Sequence, residues 1–234
     1  TILPKTKLRM LSNRVDLSVF HPQPSLTPND TINSRRAAEQ AILRVSALAK
    51  RYPGGYRVLF VGRRRRQKNW DTVMRSLADL GPQYTGIFVG RGPKAPMIEL
   101  AAQLGISKRV HLIDHVPNQE LKYFFWLADV FCVPSRWEGF GIVFIEAMAS
   151  SGAVVVTSDI APMNEFVINR ENGLLVAAYE NSMAVAHSIK RAATDIKLRK
   201  LIRAKARRSV ARRFGKEHVD RWEVGLYRGV LDQE

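Results

Sequence analysis

The reading of this chain turns on Pro134-Ser135-Arg136-Trp137-Glu138-Gly139-Phe140-Gly141-Ile142-Val143-Phe144-Ile145-Glu146-Ala147-Met148-Ala149. The apolar run Asp129–Val133 precedes it and reads as a buried strand. From about residue 141 to 151 the pattern reads as a buried helix. Strand, glycine-bearing turn and helix, in that order, make the repeating unit of a parallel sheet. Gly139 and Gly141 bracket Phe140, so several backbone N–H groups can converge at the helix N-terminus, an arrangement that binds phosphate. Glu138 and Glu146 flank that turn. Carboxylates do not bind phosphate, but they accept hydrogen bonds from sugar hydroxyls. Together these features describe a sugar nucleotide. On spacing alone, a plain turn with one capping glutamate explains the segment equally well.

Working outward, the same unit recurs. Further candidate strands are Arg57–Val61, Thr85–Val89, Arg109–Ile113 and Ala153–Thr157, with helical segments near 70–80, 94–104 and 118–128. Strands apolar on both faces and spaced by helices predict an α/β fold: a Rossmann-like parallel sheet with helices on both faces. From about Asn181 the chain reads as a helical tail. Residues 1–34 read as an extended leader, because Pro4, Pro22, Pro24 and Pro28 block regular structure. A helix over 35–51 follows and stops at Tyr52-Pro53-Gly54-Gly55. The predicted organisation is an extended leader over 1–34 and one α/β domain with a helical tail over 35–234.

Two other strand ends carry glycine and charge. In Val61-Gly62-Arg63-Arg64-Arg65-Arg66-Gln67-Lys68-Asn69, Gly62 permits close backbone approach, and Arg63 and Lys68 suit a diphosphate. A solvated basic loop is the alternative. Val89-Gly90-Arg91-Gly92-Pro93 reads on turn chemistry as a tight turn into a helix. It is not the G-x-G-x-x-G fingerprint, which argues against a nicotinamide dehydrogenase.

Composition narrows the classes. The 234 residues include 46% hydrophobic and 25% charged side chains, the proportions of a folded chain. Thirty-seven Lys and Arg against 21 Asp and Glu give a formal net charge of +16, which points to an anionic partner. The single cysteine, Cys132, excludes an internal disulfide and reads as a small core hydrophobe. No apolar run is long enough for a transmembrane helix, and no signal peptide is legible.

The motifs together resemble retaining glycosyltransferase family 4, whose members have the GT-B fold. Glu138 to Glu146 resembles the family's E-x7-E motif. Val61-Gly62-Arg63 with Lys68 resembles its G-R…K phosphate site, and Val89-Gly90-Arg91-Gly92-Pro93 its strand-turn-helix. Ala128-Asp129-Val130 with Pro134-Ser135, and Glu165 with Asn172-Gly173-Leu174-Leu175-Val176, also fit. Asn13-Arg14-Val15-Asp16, with Phe20 and Pro22, resembles the interdomain linker. The likeness covers nearly all of residues 8–230. Asn69 stands where glycine usually follows the lysine, and Arg14 replaces a linker glycine. Ser150-Ser151-Gly152-Ala153 replaces the usual Cys-Gly-x-Pro.

The resemblance implies an enzyme, a hexosyltransferase that moves a sugar from a nucleotide diphosphate sugar to an acceptor with retention. It implies catalytic roles for Glu138, Arg63 and Lys68: Arg63 and Lys68 hold the diphosphate and stabilise the leaving nucleotide, and Glu138 contacts the transferred sugar. Glu146 accepts from the ribose hydroxyls. Gly62, Gly90, Gly139, Phe140, Gly141 and Ile142 approach the donor, and His115, Val116 and Leu121 line the base. Asn118 and Leu121 favour uracil, so UDP is expected ahead of GDP or ADP. No cofactor and no metal are expected, since two cations supply the charge. His111 and His115 lack a third metal ligand. A GT-B enzyme has two such domains, and this chain begins at the linker. It is therefore expected to be the donor-binding half, with 1–34 as the interdomain linker and 35–234 as the donor-binding domain, completed by a missing N-terminal acceptor domain or a partner chain. The rival is a non-catalytic nucleotide-sugar-binding or interaction module.

The segment 197–213 holds nine basic residues, no acid, and an apolar stripe of Leu198, Leu201, Ile202, Ala206 and Val210. It reads as a solvated basic helix face or, more sharply, as a dock for an anionic membrane surface. A cytoplasmic protein, peripheral at the cytoplasmic face of a membrane, is the matching expectation. Nucleic acid is disfavoured, because aromatics are not interleaved with the basic residues. Trp70, Trp126, Trp137 and Trp222 read as packing.

Overall fold

The computed structural model describes residues 13–27 and 30–231. The leader reading for residues 1–12 and 28–29 lies outside the described residues. Six strands form one parallel sheet: β1 (Tyr56–Val61), β2 (Tyr84–Val89), β3 (Val110–Ile113), β4 (Val130–Val133), β5 (Val154–Ser158) and β6 (Leu174–Val176). Their order is β3-β2-β1-β4-β5-β6, with every pair parallel. β2, β4 and β5 are buried along their whole length, as strands covered on both faces must be.

Nine α-helices lie among the described residues: α1 (Ile32–Arg51), α2 (Trp70–Asp79), α3 (Ala95–Gln103), α4 (Leu121–Leu127), α5 (Ile142–Ser150), α6 (Met163–Phe166), α7 (Ser182–Thr194), α8 (Ile196–Phe214) and α9 (Lys216–Leu231). α2 packs against α3 and α7 on one face of the sheet; α4 packs against α1 and α5, and α5 against α8, on the other. Side-chain caps start three of them. Thr31, Asn181 and Asp195 each accept from a backbone N–H three residues on. The capping Thr31 moves the start of α1 to Ile32, earlier than the prolines suggested. The predicted strands stand within a residue of their observed ends. β6, absent from the predicted strands, is the exception: it spans only three residues and its neighbours show no alternation.

The described residues of the N-terminal segment are tied to the tail. The Val15 N–H donates to Phe214 O (2.8 Å), and the Lys216 N–H donates to Val15 O (2.9 Å). Phe20 is buried, and Trp126 Nε1 donates to His21 O. Arg14, the residue in place of a linker glycine, pairs with Asp220 and Glu223 on α9.

The basic helix is not a uniform charged face. Arg199 pairs with Asp129, Arg207 donates to the carbonyls of Phe20 and Ala149, and Arg213 donates to Glu165 O. Cys132 is buried, and burial pushes its thiol pKa up, so it packs as a core hydrophobe. Two tryptophans depart from the packing expectation: Trp137 is 63% exposed and Trp222 42% exposed. Among the described residues no helix is long and apolar enough to cross a membrane.

Candidate functional site

In this strand order the direction of winding reverses between β1 and β4, and the crevice beyond their carboxyl ends is where open α/β sheets bind ligands. The loops after these two strands are the ones that carry Arg63, Lys68 and Glu138. Backbone and side chains zip them together. The Arg136 N–H donates to Gln67 O at 2.8 Å, and Gln67 Nε2 donates to Trp137 O at 3.0 Å. Lys68 Nζ donates to Glu138 Oε1, and Ser135 Oγ donates to the same oxygen at 2.8 Å. The Glu138 side chain is nearly buried, which strengthens that pair relative to one in bulk water. Arg63 is exposed and free of any ion pair among the described residues.

The α5 N-terminus completes the β4 side. Gly141 caps α5 at φ 81° and ψ 61°, a left-handed conformation suited to glycine, and a Cβ there would meet the Phe144 ring at 2.6 Å. No side chain caps this helix; the Phe144 N–H donates to Gly141 O at 3.0 Å, which leaves the Ile142 and Val143 N–H groups of the first turn to an acceptor. At Gly139 a Cβ would meet nothing within 4 Å, so its backbone borders open space. Phe140 stacks on Phe166 and meets Phe214 edge-on, which fixes its half-buried ring beside the turn. Ile142 is half exposed. Glu146 is buried on α5. Burial raises its carboxyl above the ordinary glutamate range, and a 3.4 Å hydrogen bond from Asn118 opposes that rise.

The base-lining candidates divide. His115 is exposed just past β3, whereas Val116 and Leu121 are buried in the core. Gly90 has a packing reason of its own: a Cβ would stand 1.9 Å from Gly62 O. Among the described residues no three His, Cys, Asp or Glu side chains group as a metal site. A groove of about 480 Å³ beside the site is lined by Phe140, Phe166, Phe214 and Trp222 and shares only Gly139 and Phe140 with the predicted residues.

Two residues not predicted for the site hold its loops. Arg64 is buried; its guanidinium donates to Gly92 O (2.9 Å), Ile113 O (2.8 Å) and Asp114 Oδ1 (2.9 Å). It thereby joins the loops after β1, β2 and β3. Asn69 adopts φ 55° and ψ 37°, a conformation that asparagine tolerates better than most residues. Its Nδ2 donates to Pro134 O and Tyr179 O, both at 2.8 Å. The departure from glycine thus keeps the backbone turn and adds a tie to the β4 loop. An asparagine directly before a helix was the available signal. For Arg64 nothing distinguished one arginine in a run of four.

This geometry defines a class: a Rossmann-like domain with a basic and acidic crevice at its topological switch point. The family model for Glycosyl transferases group 1 matches residues 49–209, more than half of the chain, and the chain belongs to that family. D-inositol 3-phosphate glycosyltransferase of Nocardia farcinica is 34% identical over 185 residues, 73% of this chain and 38% of its own length. Among solved structures, sucrose-phosphate synthase from Thermosynechococcus elongatus matches with a TM-score of 0.81 at 25% identity, over 97% of this chain and 53% of that one. Anabaena HepE in complex with UDP-glucose shares the fold, with a TM-score of 0.79 at 20% identity, over 94% of this chain and 57% of that one. The chain thus spans about half or less of the length of these proteins.

Proposed function

We propose that this chain is the donor-binding half of a retaining family 4 glycosyltransferase that uses a nucleotide diphosphate sugar, with UDP preferred over GDP or ADP. The observation that carries the reading is the Lys68–Glu138 contact at the switch point, which unites a phosphate-binding cation and a hydroxyl-binding carboxylate. The HepE complex with UDP-glucose, on the same fold, supports the choice of donor. Arg63 and Lys68 bind the diphosphate. The first-turn N–H groups of α5 and the backbone at Gly139 and Phe140 approach the phosphates and the sugar. Glu138 accepts from sugar hydroxyls, and Glu146 accepts from the ribose. His115 borders the base.

In the reaction the bond from the anomeric carbon to the diphosphate breaks, and the nucleotide leaves with the electron pair. The acceptor oxygen forms the new bond and gives up its proton to an oxygen of the leaving diphosphate. Arg63 and Lys68 neutralise charge developing on the leaving diphosphate, so no catalytic metal and no cofactor are proposed. Residues 1–34 act as the linker to an acceptor-binding domain, in the same or a partner chain, and 35–234 as the donor domain. The working place proposed is the cytoplasmic face of a membrane. Saturation-transfer NMR with UDP-glucose tests the reading: signals from ribose and glucose protons, lost in Glu146→Ala, support it, and no transfer contradicts it.

A further inference from the structure

The two oxygens of the Glu138 carboxylate have different surroundings. Oε1 accepts from Lys68 Nζ and from Ser135 Oγ, the latter at 2.8 Å. Among the described residues no hydrogen bond reaches Oε2. It is nevertheless not one of the buried polar atoms left without a partner, so it touches solvent. The adjoining Gly139 borders open space. One oxygen is therefore held from behind, and the other is left to a ligand.

The two donors on Oε1 are not equivalent. Lys68 carries its charge on a long flexible stem, and a diphosphate competes for that charge. Ser135 lies two residues past β4 and is fully buried. Its carbonyl accepts from the Ser158 hydroxyl of β5 at 2.7 Å, so its backbone is fixed to the neighbouring strand. The Ser135 hydroxyl cannot follow an anion into the crevice. When Lys68 turns to a diphosphate, Ser135 is the donor that stays on Oε1. We propose that Ser135 is a positioning residue, which keeps Glu138 aimed through Oε1 so that Oε2 accepts from a hydroxyl of the transferred sugar once the donor is bound. The inference rests on the donor-site reading above, and it adds the group that gives the sugar contact its direction.

The test measures the affinity of the whole chain for UDP and for UDP-glucose and follows their ratio. The variants are Ser135→Ala, Glu138→Ala, the two combined, and Ser76→Ala, which removes another fully buried hydroxyl, on α2. Ser135→Ala is expected to weaken UDP-glucose relative to UDP by at least about fivefold, as loss of a hydrogen bond to a charged group does, and to leave UDP itself within about twofold. The combined variant falls no further than Glu138→Ala, because a positioning residue acts only through the group it positions. Ser76→Ala leaves the ratio unchanged. Ser135→Cys, of similar shape but a weaker donor, lowers the ratio in the same sense and serves if the alanine variant does not fold. A ratio that Glu138→Ala lowers and Ser135→Ala leaves unchanged overturns the inference alone. An equal fall in Ser76→Ala, or falls that add in the combined variant, reduces Ser135 to a structural part and also overturns it. No binding of either ligand, or a ratio that Glu138→Ala leaves unchanged, defeats the donor reading and the inference with it.

Discussion

Lys68 and Glu138 are joined as an ion pair, and Ser135 donates to the same carboxylate oxygen. The residues proposed for two different parts of the donor therefore neutralise one another across the loops of β1 and β4. A diphosphate competes with Glu138 for the ammonium. Glu138→Gln is expected to strengthen binding of the bare nucleotide diphosphate by a few-fold while it weakens the extra contribution of the sugar. Calorimetric titration of both ligands checks this; a weaker bare nucleotide contradicts it.

Arg63 and Lys68 differ in what they give up to bind. Arg63 is exposed and unpaired among the described residues, and Lys68 must leave Glu138. Removing either charge by substitution with alanine is expected to cost about 1.5–3 kcal/mol toward a diphosphate, as for charged hydrogen bonds generally. Because the parent pair is broken on binding, Lys68→Ala falls at the lower end. Unchanged affinity in both variants moves the phosphate site elsewhere.

Asn69 satisfies two carbonyls, on Pro134 and Tyr179, from a left-handed backbone. Asn69→Ala loses both of these hydrogen bonds and the one that Asn69 Oδ1 accepts from Thr72 Oγ1 (2.6 Å), strains the turn, and is expected to destabilise the fold by about 2–4 kcal/mol. Asn69→Gly loses the same bonds without the strain and is expected to be the more stable of the two. Urea denaturation orders them; an alanine variant as stable as the glycine variant removes the conformational part of the argument.

Glu146 titrates against its burial. Its raised pKa means that the folded chain holds this proton more tightly than the unfolded chain does. The stability it contributes is fully present below the ordinary glutamate range and is lost as pH rises through the raised value. Glu146→Gln is therefore expected to be near neutral for stability at about pH 4 and stabilising at about pH 8. Thermal melts at the two pH values test the sign, and a variant less stable at the higher pH contradicts it.

The sheet was legible because burial on both faces writes itself into apolar runs, as in Val154-Val155-Val156, and because the intervening helices have their own period. Glu138, Glu146, Arg63 and Lys68 stood out as candidates because glycine and charge fall together at strand ends, but spacing left a plain turn and a solvated basic loop open, and their roles came from the family resemblance. What spacing does not encode is which member of a run turns inward. Arg64 is buried between two exposed neighbours because its guanidinium reaches three acceptors at the ends of β2 and β3. Those acceptors are 28 to 50 residues away along the chain. Trp137 and Trp222 misled for the related reason that residue type predicts burial only on average. The arginines of α8 were legible as charge, but the carbonyls and carboxylate that engage them come from other elements.

A nucleotide diphosphate site at the switch point is open to direct test by titration of the chain with UDP, GDP and ADP. Saturable binding is expected, tightest for UDP, lost in Glu146→Ala and weakened in Arg63→Ala. Binding of none of the three, or binding that survives both substitutions, would contradict it.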